Sequence, residues 1–166
     1  MLESGNRGKK QMTKRMIIVL VAAAMLLLAP FGCKKAPVSI DGEALYQQMN
    51  ALGQFPDMAR RGGSDVYDYY GIDPAQCKQL VNYAAADGLM TDEFLFVESN
   101  DPAYAEEVES LLQEQIAYRA KTYREYMPAE YPKISSARIE RSGCYVLVIV
   151  AEDVAAAYRV YTDALK

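Results

Sequence analysis

The sequence contains no histidine and no tryptophan, and only three cysteines in 166 residues. Without imidazole there is no Ser-His or Cys-His nucleophile pair, no histidine general base and no zinc site built on imidazole. A serine with lysine three residues on, the spacing of Ser-Lys acyl transfer, is also missing. Long apolar runs are scarce. The one present, Met16 to Cys33 (MIIVLVAAAMLLLAPFGC), carries no charge and follows Arg7, Lys9, Lys10, Lys14 and Arg15. A basic segment ahead of an apolar run is the layout of an export signal, and the basic excess before the run over Lys34 and Lys35 after it directs the body of the chain outward.

Gly32 and Cys33 at the end of that run resemble a bacterial lipobox, in which the thiol is acylated and the signal is removed ahead of it. Pro30 and Phe31 depart from the usual leucine and small residue. The expected organisation is a signal peptide over 1–32, a lipidated tether over 33–40 and one domain over 41–166. An uncleaved signal anchor and a secreted chain are the alternatives. Two acyl chains on Cys33 hold a protein to a bilayer firmly, since each buried CH2 contributes about 0.8 kcal/mol and a single chain binds only marginally. The expected location is therefore the outer face of the bacterial cell membrane, with the membrane itself a partner through the lipid on Cys33.

From Cys33 onward the chain has 13 basic residues against 21 acidic ones. That balance excludes nucleic acid as an expected partner. Cys77 and Cys144 remain once Cys33 is lipidated. An exported pair permits one disulfide, and small buried apolar positions are the alternative.

Read in order, Asp41 opens a helix with Leu45, Met49 and Leu52 on one face and Gly53 as its stop. Gln54 to Ser64, with Pro56, Gly62 and Gly63, has no period and reads as a loop. Asp65 to Tyr70 (DVYDYY) predicts about one helical turn. Asp73, Pro74 and Gln76 then have capping spacing and predict a helix bearing Cys77, Leu80, Val81 and Ala84 on one face. Asp92 to Glu98 predicts a covered strand, and Asp101 with Pro102 opens the longest helix, which Pro128 stops. Ile134 to Glu140 alternates as a half-wet strand; Cys144 to Val150, apolar on both faces, predicts the central strand. Asp153 caps a final helix.

These elements predict an α+β fold with a small three-stranded sheet of order 2-3-1: a split βαβ followed by a hairpin and a C-terminal helix, with the N-terminal helices packed on it.

The segments YGID (Tyr70–Asp73), YMPAEYP (Tyr126–Pro132) and ARIERSGCYVLVIVAED (Ala137–Asp153) resemble the family of small bacterial lipoproteins built on domain of unknown function 4358. The similarity runs from about Asp41 to the C-terminus. It implies an extracytoplasmic, membrane-tethered domain, usually from Gram-positive bacteria, and supplies no activity and no catalytic residues.

Tyr67, Tyr69 and Tyr70 beside Asp65 and Asp68 form a candidate aromatic and acidic ledge for a sugar, a peptide or an amine; helix packing and capping are the plainer reading. Asp65 and Asp68 lack the alternating ligands of an EF-hand loop, so no metal is expected. Arg60 and Arg61 offer guanidinium forks for phosphate or carboxylate, against the default of solvated loop charge. The candidate binding residues are Arg60, Arg61, Asp65, Asp68, Tyr69 and Tyr70. No catalytic residue and no cofactor is expected. The function expected from these readings is a non-catalytic envelope lipoprotein that binds a protein or wall component. A small-ligand-binding or carboxylate-dependent hydrolytic domain is the alternative; a deep pocket lined by two or more of Arg60, Arg61, Asp65, Asp68 and Tyr69 would favour it, and a flat or convex surface there would favour the first.

Overall fold

The computed structural model describes residues 39–166. The signal, Cys33 and most of the expected tether lie outside the described residues. Among those described, no helix is long and apolar enough to cross a membrane. The elements are α1 (Gly42–Asn50), β1 (Met58–Arg61), α2 (Gly63–Tyr70), a 3-10 turn (Pro74–Gln76), β2 (Cys77–Ala85), β3 (Glu93–Ser99), α3 (Pro102–Tyr126), α4 (Tyr131–Ser135), β4 (Arg138–Ser142), β5 (Tyr145–Val150) and α5 (Val154–Ala164).

Every neighbouring pair in the five-stranded sheet, of order β1-β2-β3-β5-β4, is antiparallel. Successive side chains on a strand face opposite ways, so β3 supplies two cores at once. Leu95 and Val97 join Val66, Val108, Leu112 and Ile134 under α2, α3 and α4. Phe94 and Phe96 join Leu45, Met49, Ala157 and Tyr161 under α1 and α5. The result is an α+β domain with helices on both faces of the sheet.

Asp41, Asp101 and Asp153 each accept a backbone N–H at the start of their helix, satisfying donors that a helix leaves orphaned. Ile40, at the end of the expected tether, is buried in the α1/α5 core. Its carbonyl accepts from Gln79 Nε2 at 2.8 Å, and Gln79 Oε1 accepts the Gly42 N–H at 3.0 Å. Gly42 itself is required by close approach: a Cβ there would lie 2.4 Å from Phe96 Cδ1.

The expected three-stranded sheet is wrong, because two strands lie in segments that read otherwise. Cys77–Ala85 is β2 and not a helix. The Asp73 cap exists, its carboxylate accepting the Ala75 N–H, but it governs only the 3-10 turn. Beyond it, pairing on both edges with β1 and β3 overrides the helix propensity of Lys, Gln, Leu and Ala. Met58–Arg61, read as loop, is the edge strand β1. The expected strand at Ile134 starts late: Tyr131–Ser135 is α4, and β4 begins at Arg138. With β1 and β2 added, β3 takes the middle of the sheet and β5 lies between β3 and β4.

Candidate functional site

Strand alternation separates the twin arginines. Arg60 is paired in register with Tyr83, on the α1 face, where its Nε lies 3.6 Å from Glu43 and the Tyr83 hydroxyl donates to the same carboxylate. Arg61 is paired with Asn82 and turns to the other face. That face, between α2 and the second half of α3, holds a cleft of about 340 Å³.

The floor of the cleft is a buried polar network. Tyr70, held at the end of α2 where Gly71 takes φ 75° and terminates the helix, donates its hydroxyl to Glu93 Oε1. Asn82 Nδ2 donates to the same oxygen at 2.9 Å and to the Phe94 carbonyl at 3.1 Å. Arg119 pairs with Glu93 Oε2 and donates through its second terminal nitrogen to the Thr91 carbonyl at 3.1 Å. Burial, then the Glu93 charge, pushes the Tyr70 hydroxyl far above its usual range. Burial pulls the Arg119 pKa down, but Glu93 outweighs it and holds the guanidinium charged. Both Glu93 oxygens are thus committed.

Asp92 and Glu93 line one wall, and with Thr91 beside them they make three successive buried polar residues, all of them partnered. The Thr91 N–H and hydroxyl each donate to Glu130 Oε2 at 3.0 Å. Asp92 accepts from Lys133 Nζ at 2.7 Å, and Lys133 also lies 3.2 Å from Glu130. Burial pulls the Glu130 carboxyl upward, yet the Thr91 donors and Lys133 outweigh it, so its pKa lies below the ordinary value. Burial likewise opposes the charge on Lys133 and is overcome by Asp92 and Glu130, which raise its pKa. These bonds fix the end of the β2–β3 loop to α3 and α4.

The mouth is built differently. Arg61 is exposed and, among the described residues, forms no ion pair. Asp65 caps α2, its Oδ2 accepting the Gly62 N–H at 2.9 Å, and also forms no ion pair there. The Tyr69 ring is 52 % exposed and meets Tyr70 edge-on at 4.8 Å; Met90 and Tyr123 complete the rim. Ala84 and Gly88 leave the space open, since larger side chains there would occupy it.

Of the residues singled out from sequence, the structure brings Arg61, Asp65, Tyr69 and Tyr70 around one cleft. Arg60 lies on the opposite face of the sheet, and Asp68 is exposed and does not line the cleft. Sequence reasoning missed Asn82, Glu93 and Arg119. Two of these had a signal. Val108, Leu112, Ile116 and Tyr123 share a helical stripe whose empty position is Arg119, and Glu93 shares its strand face with Leu95 and Val97.

Cys77 and Cys144 are both free thiols. No group of three or more His, Cys, Asp or Glu side chains among the described residues is placed to hold a metal ion.

A family model described as Domain of unknown function (DUF4358) matches residues 52–151. That span runs from the approach to β1 to the end of β5 and contains every residue lining the cleft; α1 and α5, which cover the other face, fall outside it. No curated protein and no solved structure matches the chain.

Proposed function

Since the chain belongs to the family described as Domain of unknown function (DUF4358), a description without an activity, we propose that it is a binding domain, lipid-anchored through Cys33 at the outer face of the bacterial cell membrane, that holds a small polar ligand in the cleft between α2 and α3. The Met16–Cys33 run and its basic flank support the address. The cleft, at about 340 Å³, falls in the range of roughly 300–1,000 Å³ typical of small-molecule sites and mixes aromatic rings with fixed polar groups.

The observation that carries a binding role over a hydrolytic one is the commitment of Glu93. Its Oε1 accepts from Tyr70 and Asn82 and its Oε2 is paired with Arg119, so the carboxylate is buried, hydrogen-bonded and held charged by a guanidinium, which makes it a weak base toward substrate or water. Asp92 is held by Lys133 with its side chain 1 % exposed. Among the carboxylates lining the cleft Asp65 alone remains open, whereas glycoside hydrolysis by an acid and base pair uses two such groups flanking the scissile bond. An envelope protein or wall component presenting a small polar group would use the same cleft.

The test uses the full chain, extracted from membranes in detergent. Thermal unfolding is followed against a panel of sugars, amino acids, peptides, nucleosides and amines, and each compound that stabilises is recovered and weighed by mass spectrometry. Stabilisation lost in Tyr69→Ala, with the compound recovered intact, supports the proposal. A chemically altered compound overturns the non-catalytic reading. Mass spectrometry of the mature N-terminus tests the anchor: a diacylated Cys33 supports it, and an unmodified Cys33 behind an intact signal overturns it.

A further inference from the structure

The charges lining the cleft are not equivalent. Arg119 and Glu93 neutralise one another in the floor, and Asp92 is neutralised by Lys133 in the wall. What remains is one cation and one anion at the mouth, Arg61 and Asp65, which lie four residues apart around the Gly62–Gly63 bend, line the same cleft and form no ion pair with each other. The Asp65 carboxylate is turned to the Gly62 N–H, which occupies Oδ2 and leaves Oδ1 without a donor among the described residues. Arg61 is held by the β1–β2 register at Asn82.

A ligand meeting this pair needs a carboxylate for the guanidinium, an ammonium for the carboxylate, and a short bridge between them. Beside the pair stand the exposed Tyr69 ring and the Met90 side chain, 52 % and 40 % exposed, which accept an apolar or aromatic group and attract a cation to the ring face. A phosphate-like dianion finds three carboxylates against two arginines in the lining, and a polyamine finds only one carboxylate that is not already paired.

Resting on the reading of the cleft as a ligand site, we infer that it binds a small zwitterion, a free amino acid or a dipeptide, with the α-carboxylate on Arg61, the ammonium on Asp65 and the side group against Tyr69 and Met90. The volume suits one or two residues and excludes a longer chain unless its end alone enters.

The test is isothermal titration of the full chain in detergent with the twenty free amino acids and a set of dipeptides, each repeated as its N-acetylated and its C-amidated form. The free form is expected to bind, and each cap to weaken binding about tenfold or more, since each removes a charge-assisted hydrogen bond. Arg61→Gln should erase the penalty of amidation alone. Asp65→Asn, which keeps an acceptor for the Gly62 N–H, should erase the penalty of acetylation alone. Capped and free forms binding equally, or no member of the panel binding, overturns the zwitterion assignment. A sugar or other uncharged compound that binds and is lost in Tyr69→Ala overturns it while leaving the cleft as a ligand site. Binding that survives both Tyr69→Ala and a folded Ala84→Leu variant, which fills space that Ala84 leaves open, overturns the cleft reading itself.

Discussion

Arg119 on α3 and Glu93 at the start of β3 form an ion pair inside the protein, with side chains 11 % and 3 % exposed. Two charges taken out of water cost more than their attraction returns unless the remaining hydrogen-bonding capacity is met. Here Tyr70, Asn82 and the Thr91 carbonyl meet it. Replacing Arg119 by Leu leaves the Glu93 carboxylate buried and unpaired, and should cost about 3–5 kcal/mol in urea unfolding. Adding Glu93→Gln, a neutral side chain that still accepts from Tyr70 and Asn82, should recover part of that loss. A coupling of about 0.5–3 kcal/mol is expected between the two sites, and simple additivity would refute the paired role.

Tyr161 is the counterexample on the other face. It is fully buried in the α1/α5 core, and among the described residues its hydroxyl has no hydrogen-bond partner. Burial, followed by the charge of Glu140, pushes the phenol up to about 12. A buried hydroxyl without a partner costs about 1–3 kcal/mol. Tyr161→Phe keeps the ring and removes that cost, so the variant should unfold at an equal or higher urea concentration than the wild type. A loss of more than about 1 kcal/mol would mean that the hydroxyl is bonded in solution, for instance to a buried water.

Helix starts were readable because a cap is a local matter: Asp41, Asp101 and Asp153 need only the next three residues to act. The same local chemistry misled at Asp73, where the cap is present but the nine residues from Cys77 are committed by pairing with β3, up to 22 residues further on, and with β1, 21 to 27 residues before. Once that segment is a strand, Asn82 faces the cleft and Arg61 and Arg60 part to opposite faces. Part of the site was therefore hidden by two misread elements, β1 and β2. Tyr69, Tyr70 and Asp65 stood out because three tyrosines and two aspartates crowd into six positions. Glu93 and Arg119 look like ordinary surface charge when each is read alone, and only their shared face with apolar neighbours marks them as buried.

The Thr91–Glu130–Lys133 wall makes stability depend on pH at both ends. Glu130 has its folded pKa lowered, so its contribution is present above the unfolded value of about 4.3 and is lost as pH falls through the folded value. Lys133 has its folded pKa raised, so its contribution is present below about 10.4 and is lost as pH rises through the folded value. Urea unfolding of wild type and Glu130→Gln should differ most between about pH 6 and 9 and converge in acid. A difference that stays constant down to pH 2 would show that the carboxylate charge is not what Thr91 and Lys133 hold.

Cys77 and Cys144 should stay reduced in the folded chain even under oxidising conditions. Cys77 pairs in register with Ser99 on β3, and the Ser99 N–H donates at 2.9 Å to the Cys144 carbonyl on the far side. One strand therefore separates the two cysteines. Two strand spacings of about 4.7–4.9 Å each exceed the Cα separation of about 7 Å that a disulfide tolerates. Burial and the nearby Asp73 charge also push the Cys77 thiol up to about 11, and its Sγ donates to the Asp73 carbonyl at 3.4 Å. At pH 8 its thiolate fraction is then about one in a thousand, against roughly a quarter for an ordinary thiol near 8.5. Iodoacetamide should accordingly label Cys77 at least tenfold more slowly in the folded chain than in urea, read by peptide mass spectrometry. A Cys77–Cys144 crosslinked peptide formed under native conditions with a mild oxidant would contradict the register of β2, β3 and β5 at this end of the sheet.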